Sequence, residues 1–219
     1  MSQSTAPAQK MAMLAATLLA LSLSGCVDVS QYGQTTALRQ MHGAASGTFI
    51  EFGCANGKDN SNTFMLECLG WHGFCVEPVD VVRFRANAYS GAVCTPGQNA
   101  TDIIVANMDG LHGVDPDLGA FRARRASVKR VRCYNLDDLR KRHDLHHVTY
   151  MTVDTEGNEL ELLQSYAPLD WVTWLQVECN TRHACDNIRT YLNKISFTMK
   201  RFFPFKNGRG GGDMLFRHR

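Results

Sequence analysis

The sequence predicts an α/β fold: a mostly parallel sheet with helices on both faces and an antiparallel last strand. Three observations favour it. Short apolar runs alternate with amphipathic stretches from residue 46 onward, which is the pattern of strands joined by crossover helices. A glycine-containing turn follows the first apolar run. Acidic residues stand at the ends of four of the runs.

Each strand is predicted from a short apolar run and each helix from the amphipathic stretch that follows. The predicted strands are 48–52, 74–77, 92–94, 103–106, 128–134, 148–153, 171–178, 197–203 and 214–217. The predicted helices are 61–69, 79–88, 136–142, 159–166 and 186–194. Residues 107–127 lack an apolar period and are predicted to form an exposed loop. The glycines of 208–212 are predicted to turn the chain between the last two strands, which makes that pair antiparallel.

The first 26 residues differ from the rest. An apolar run at 11–23 follows Lys10 and ends in Leu23-Ser24-Gly25-Cys26. The run is short for a membrane span and suits a signal-peptide core. Its last four residues resemble a bacterial lipoprotein cleavage box in which Cys26 carries the lipid. A retained membrane anchor through residues 11–25 and a helix that caps the domain are the alternatives.

Residues 27–45 are polar and are predicted to form a linker with a short helix at 36–42, ahead of a domain at 46–219. The net charge of +2 gives no case for a nucleic-acid partner. The eight cysteines include no Cys-x-x-Cys pair, and several lie in apolar, strand-like runs. We therefore expect the thiols to be mostly reduced and buried as small apolar side chains.

The first motif is the turn after the first strand. Glu51 stands at the end of the strand, Gly53 and Gly57 frame the turn, and Glu77 closes the second strand. A dinucleotide fold requires Gly-x-Gly-x-x-Gly at this place, with pyrophosphate on the helix N-terminus. The acidic Glu51 would repel a pyrophosphate and suits a cationic ligand. S-adenosylmethionine (SAM) has a sulfonium, an ammonium and a ribose, and Glu77 is predicted to bind the ribose hydroxyls.

The second motif is Asp154-Thr155-Glu156-Gly157, at the end of a predicted strand and before an amphipathic helix. Ligands of open α/β sheets bind beyond the carboxyl ends of the strands. The strand ends at Glu51, Glu77, Asp154 and Glu178 are therefore predicted to gather around one crevice.

With these motifs the chain resembles the FkbM family of SAM-dependent methyltransferases, from about Gly47 to Arg217. The segments that carry the resemblance are 49–53 with Gly57, 60–63 with Glu67, 70–73, 76–78, 135–139, 153–161 and 177–180. The resemblance implies a Rossmann-like class I methyltransferase fold and methyl transfer from SAM to a hydroxyl oxygen of a small molecule or glycan.

The resemblance also implies the cofactor contacts. Glu51, Gly53 and Gly57 would line the amino-acid end of SAM, and Glu77 would hold the ribose. The residues expected to bind the cofactor are Glu51, Gly53, Cys54, Gly57, Asn62, Glu77 and Pro78.

Asp154 and Glu156 are the candidate catalytic residues, because residues two apart on a strand share a face and methyl transfer to a hydroxyl needs a base or polarising group. Their structural alternatives are a helix cap and an acceptor for loop amides. No metal is assigned, and a divalent cation between the two carboxylates is the lesser alternative.

Two other functions stay open: a non-catalytic, membrane-anchored binding or trafficking protein, and a nucleotide-using oxidoreductase on a related fold, against which the missing third glycine and the acidic Glu51 weigh. Because SAM is made in the cytosol, a domain on the cytosolic side of a membrane, or a cytoplasmic protein, is favoured over export as a lipoprotein through Cys26.

Overall fold

The structure is a computed structural model that describes residues 26–78, 84–106, 112–113, 126–205 and 210–219. The described helices are α1 (Gln34–His42), α2 (Phe64–Cys68), α3 (Leu136–Arg142), α4 (Glu159–Ser165) and α5 (Arg182–Lys194). The described strands are β1 (Thr48–Phe52), β2 (His72–Glu77), β3 (Ala88–Ser90), β4 (Ala92–Val93), β5 (Ala100–Ala106), β6 (His112–Gly113), β7 (Ala126–Tyr134), β8 (Val148–Val153), β9 (Val172–Cys179), β10 (Phe197–Pro204) and β11 (Gly212–His218).

Seven strands form the central sheet in the order β10-β11-β9-β8-β1-β2-β3. The pairs from β9 to β3 are parallel, whereas β11 is antiparallel to both β9 and β10. The predicted fold class is therefore confirmed, including the reversed last strand. The last strand, β11, lies inside the sheet between β9 and β10, and β10, which precedes it in the chain, forms the edge.

Side chains alternate between the two faces of this sheet, as they must in extended strands. One face packs against α3, α4 and α5, through a buried layer that includes Ile50, Phe52, Met151, Val153, Leu175 and Val177. The other face packs against α1 and α2, through Phe49, Tyr150, Trp174 and Leu215. The second face also holds buried polar side chains, among them Glu51, Thr152, Gln176, Glu178 and Asp213.

The strands β4, β5, β6 and β7 form a second sheet, in the order β4-β7-β5-β6. The sequence did not predict a sheet separate from the main one. The longest pairing of the second sheet, between β5 and β7, is antiparallel. Strand β7 buries Val131 and Cys133 on one face, whereas Arg130 and Arg132 on the other face are exposed, so this part of β7 is covered on one side. One-sided cover is typical of antiparallel pairs. The predicted loop at 107–127 contains β6 and the first residues of β7, and its remaining residues lie outside the described part.

The predicted helix at 79–88 is wrong in its described part, because Ala88 begins β3 and residues 84–87 are not helical. Residues 79–83 lie outside the described part. Tertiary contacts override the amphipathic helical pattern here, because Arg85 is buried against the side chain of Glu51.

The segment before β1 is tied to the domain. The Gln34 side-chain amide donates to Asp213 Oδ2 (3.0 Å), and Thr35 Oγ1 donates to the carbonyl of Asn62 (2.7 Å). Within the described ranges, no helix is both long and apolar enough to cross a membrane. The apolar run at 11–23 precedes the described residues.

All eight cysteines are paired, so the expectation of mostly reduced thiols is wrong. The disulfides are Cys26–Cys68, Cys54–Cys75, Cys94–Cys133 and Cys179–Cys185, with Cα–Cα distances of 5.5, 6.2, 5.4 and 5.1 Å. These distances lie in the range that a disulfide spans without backbone movement. A sulfur atom in a disulfide cannot also carry a thioether-linked lipid, so the Cys26–Cys68 bond and a lipid on Cys26 exclude each other.

Candidate active site

The carboxyl ends of β1, β2 and β8 meet at Gly53. Its backbone N–H donates to Val76 O (3.0 Å), and the N–H of Asp154 donates to Phe52 O (3.1 Å). Gly53 has φ +81°, and a Cβ there would lie 2.0 Å from the carbonyl oxygen of Asp154. No side chain fits in that space, so a glycine is required for the two strand ends to approach so closely.

The turn after Gly53 is closed by short hydrogen bonds. Gly57 N–H donates to Cys54 O (2.7 Å), and Ala55 N–H donates to Glu77 Oε2 (2.9 Å). The disulfide between Cys54 and Cys75 joins the turn to β2 a second time. The structure thus brings the predicted residues Gly53, Cys54, Gly57 and Glu77 together, and Pro78 follows Glu77 directly. Their contacts with a cofactor stay predictions.

Glu51 is buried completely, and protein groups surround its carboxylate. Oε1 accepts from Asn62 N–H (2.6 Å), and Oε2 accepts from the hydroxyls of Ser61 (2.8 Å) and Thr63 (2.6 Å). Arg85 Nη1 lies 3.1 Å from Oε2, and this ion pair is also buried. The carboxylate that was predicted to contact SAM therefore fixes the loop before α2 in this structure and does not face a cleft.

Asn62 is placed by that loop beside β8. Its side-chain amide donates to Thr152 Oγ1 (3.4 Å), while its Oδ1 is buried and has no hydrogen-bond partner within the described part of the chain. A buried acceptor without a donor is unfavourable unless a ligand or water satisfies it. Among the residues predicted to contact the cofactor, Asn62 therefore offers a buried side-chain oxygen that can still accept a hydrogen bond.

Asp154, Glu156 and Glu178 form an acidic cluster in which one carboxylate oxygen of each lies within 4.8 Å of the others. The register of β8 and β9 explains it, because Val153 pairs with Val177 and the next positions bring Asp154 and Glu178 side by side. The amide of Asn180 donates to Glu156 Oε2 (3.4 Å). We call these three carboxylates the acidic triad.

Burial and mutual repulsion raise the pKa values of two members of the triad, Asp154 and Glu178. Burial raises the pKa of Asp154 well above its usual value; a hydrogen bond with Glu178 opposes the rise and the charge of Glu156 adds to it. Burial likewise raises the pKa of Glu178 well above its usual value, and the neighbouring charge of Asp154 adds to it. Both effects disfavour the ionised form, because a carboxylate loses hydration and gains a like-charged neighbour.

The loop amides after β8 bind to Glu159, not to either candidate catalytic residue. Glu159 Oε1 accepts from the N–H groups of Thr155 (3.0 Å) and Gly157 (2.9 Å) and from the Thr155 hydroxyl (3.1 Å). Burial raises the pKa of Glu159, and these hydrogen bonds oppose the rise. Glu159 therefore performs the structural role that was the alternative for Glu156, and it fixes the loop that carries Glu156.

A chain of buried polar groups runs across the same sheet face. The Tyr150 hydroxyl donates to Gln176 Oε1 (2.6 Å), and the Gln176 amide donates to Asp213 Oδ1 (3.3 Å). Burial raises the pKa of Asp213 to about 6, and hydrogen bonds from Gln34 and Gln176 oppose the rise. Asp213 pairs with Glu178 across β11 and β9, so a fourth carboxyl flanks the triad.

Sequence reasoning missed Arg85, Glu159 and Asp213. Arg85 stood in a predicted helix, and Asp213 stood between the predicted turn at 208–212 and the predicted strand at 214–217. The sequence does contain a feature that could have indicated Glu159: it is an acidic residue at the start of a predicted helix, where free N–H groups favour a carboxylate.

The sheet order, the glycine turn and the acidic strand ends together define a Rossmann-like class I methyltransferase fold. Residues 43–199 match the family model described as the methyltransferase FkbM domain. That match covers most of the chain, and the protein belongs to this family. It is therefore a methyltransferase, and its cofactor is SAM.

The comparison with curated proteins gives no match. Several solved structures are similar in fold. A METTL16 methyltransferase domain is 9% identical with a TM-score of 0.46, over 84% of this chain and 65% of that one. The O-methyltransferase from Bacillus cereus in complex with SAH is 10% identical with a TM-score of 0.45, over 92% and 89% of the two chains. Fibrillarin from Aeropyrum pernix with natively bound SAM is 12% identical with a TM-score of 0.44, over 84% and 76%. These scores are low, and nothing about this chain's substrate follows from them.

Proposed function

We propose that this methyltransferase transfers the methyl group of SAM to a hydroxyl oxygen of a small molecule or sugar. The observation that supports it most is the position of Asp154 directly beside Gly53, with a carboxylate oxygen of Glu156 within 4.8 Å of one of its own; both side chains are partly exposed. A hydroxyl is a weak nucleophile and needs a neighbouring group that accepts its proton. Carboxylates are acceptors when ionised, and these two are the acidic side chains at the end of β8.

The residues around Gly53 fit SAM in two respects. The unpartnered Oδ1 of Asn62 is an acceptor for an ammonium group. The turn from Gly53 to Gly57 lets a ligand approach the backbone closely, and Glu77 lies beside it. We propose that Asn62 binds the amino-acid end of SAM and that Glu77 binds the ribose. When bound, SAM supplies a methyl group on a positively charged sulfur.

The chain's own contribution is alignment and proton transfer. Glu159 holds the loop, so Glu156 is presented from a fixed backbone next to Asp154. The two carboxylates would orient the acceptor hydroxyl, and one of them would take its single proton as the carbon–oxygen bond forms and the methyl–sulfur bond breaks. Alignment of this kind accounts for roughly 7–11 kcal/mol of the barrier in well-oriented reactions.

The test is methyl transfer by the full chain from isotopically labelled SAM to a panel of phenols, aliphatic alcohols, sugars and RNA. We expect label on an oxygen of a small molecule or sugar, identified by mass spectrometry and NMR of the product. Label only on RNA, or only on nitrogen, would contradict the proposal.

A pair of variants locates the chemistry. Asp154→Asn should lower kcat by about 10²–10⁴-fold, the contribution of a positioned acid–base group, with little effect on SAM affinity. Glu161→Gln is the matched control, because Glu161 is an exposed glutamate on α4 a few residues away. Equal rates for the two variants would remove Asp154 from the proposed chemistry.

A further inference from the structure

We propose that the acidic triad of Asp154, Glu156 and Glu178 binds one divalent cation through oxygen ligands, of the Mg²⁺ or Mn²⁺ class. The chemical role of this cation rests on the proposed function, but the binding of the cation does not. The triad supplies three carboxylates from three positions that converge at the ends of β8 and β9.

The distances suit a single ion. One oxygen of each carboxylate lies within 4.8 Å of the other two. Two oxygens on opposite sides of an ion with metal–oxygen bonds of about 2.1–2.5 Å are about 4.2–5 Å apart, and adjacent ones are closer. The three oxygens therefore fit around one centre with small side-chain movements.

A second observation comes from Glu178. The residue is only 7% exposed, and its Oε2 is buried and has no hydrogen-bond partner among the described residues. This carboxylate faces Asp154 and Glu156 across the cluster. Buried carboxylate oxygens are normally paired with a donor or coordinate a metal ion. A cation among the three would satisfy this oxygen.

The surrounding charges leave that position open to a cation. Among the described ion pairs, none involves Asp154 or Glu178. The buried guanidinium of Arg85 is bound to Glu51 and Glu67. No described ion pair therefore balances a negative charge on Asp154 or Glu178.

The supporting contacts hold the triad in place. Glu159 fixes the loop that carries Glu156, and the Asn180 amide donates to Glu156 Oε2. Carboxylate ligands that are themselves hydrogen-bonded are characteristic of metal sites. A cation there would offset two of the three negative charges and act as a Lewis acid toward the acceptor oxygen, whose proton then passes more readily to the free carboxylate oxygen of Asp154 or Glu156.

The first experiment measures binding of Mn²⁺ alone to the full chain, after treatment with a chelator and without SAM or substrate. Electron paramagnetic resonance and calorimetry should give one bound Mn²⁺ per chain, displaced by Mg²⁺. Glu178→Gln should weaken Mn²⁺ binding at least tenfold, and Glu161→Gln on the exposed face of α4 should leave it unchanged. No saturable binding at millimolar Mn²⁺, or equal affinity in both variants, would overturn the proposal.

Glu156→Gln is the second variant, because its side chain is less buried than Glu178 and its replacement disturbs the core less. Circular dichroism checks that each variant is folded. Failure of this proposal is distinguishable from failure of the proposed function. Methylation of a hydroxyl without any Mn²⁺ binding refutes the cation site alone, whereas Mn²⁺ binding without methylation of any hydroxyl supports the site and refutes the assigned reaction.

Discussion

Removal of the disulfide between Cys26 and Cys68 should destabilise the protein more than removal of the one between Cys179 and Cys185. The first joins residues 42 positions apart and ties the segment that carries α1 to α2. The second joins residues only 6 positions apart, at the start of α5. A disulfide stabilises mainly by restricting the unfolded chain, and the restriction grows with the length of the closed loop.

The loop lengths set the expected magnitudes. The chain-entropy relation gives about 4 kcal/mol for the 42-residue separation of Cys26 and Cys68. The same relation gives about 2 kcal/mol for the 6-residue separation of Cys179 and Cys185. The difference is about 2 kcal/mol. Both double substitutions replace two half-cystines by alanine, and Cys68 is exposed whereas Cys26, Cys179 and Cys185 are buried.

The assay is equilibrium unfolding in urea of the two double variants, Cys26→Ala with Cys68→Ala and Cys179→Ala with Cys185→Ala, at one pH and temperature. We expect the larger loss of unfolding free energy in the first. Equal losses, or the opposite order, would refute the loop-length reasoning. Titration of the unreduced, denatured protein with a thiol reagent is the control; eight reactive thiols would refute the pairing itself.

Three further changes test the site and its surroundings. Arg85→Ala leaves the buried carboxylate of Glu51 without its cation and should lower the free energy of unfolding by about 3–5 kcal/mol. The double change Arg85→Met with Glu51→Gln removes both charges and should cost much less in the same urea titration. A smaller loss in the single variant than in the double variant would contradict the role of the ion pair. Gly53→Ala places a Cβ 2.0 Å from the carbonyl oxygen of Asp154, whereas Gly97 has a similar positive φ and open surroundings. Thermal denaturation should therefore show a larger fall in Tm for Gly53→Ala than for Gly97→Ala. Similar falls would mean that the close approach at Gly53 is unimportant. The pKa of Asp213 is raised to about 6 from 3.8, so its contribution to stability is greatest below pH 3.8 and is lost as the pH rises through 6. Relative to the wild type, Asp213→Asn should gain about 2 kcal/mol between pH 4 and pH 7 in denaturant titrations, since one pKa unit is worth about 1.4 kcal/mol and pH 4 already lies above the unfolded pKa of 3.8. A difference that does not change with pH would refute the shifted pKa.

Local patterns predicted much of the fold. The strand at 48–52 matches β1 and the strand at 148–153 matches β8, because both are short apolar runs bounded by glycine or charged residues. The helix at 136–142 matches α3, whose start is marked by Asn135 accepting from the N–H groups of Asp137 and Asp138. These elements are specified by residues within a few positions of each other, which is why a single sequence reveals them.

The helix predicted at 79–88 shows where such patterns fail. Its described part holds Arg85, which pairs with Glu51, 34 positions earlier in the chain. Nothing in the local sequence indicates that partner. The same holds for the cysteines, whose pairing depends on which strands and turns lie side by side.

The amino-acid sequence by itself determined the order of strands and helices, the glycine turn and the acidic strand ends, and hence the family. Only the tertiary structure decided that the Glu51 carboxylate is enclosed by the loop before α2, that Asp154 and Glu178 are neighbours across β8 and β9, and that all eight cysteines are paired. The reason is physical. Periodicity and turn chemistry act over a few residues, whereas burial, charge pairing and disulfide geometry depend on distances between residues that are far apart in the chain.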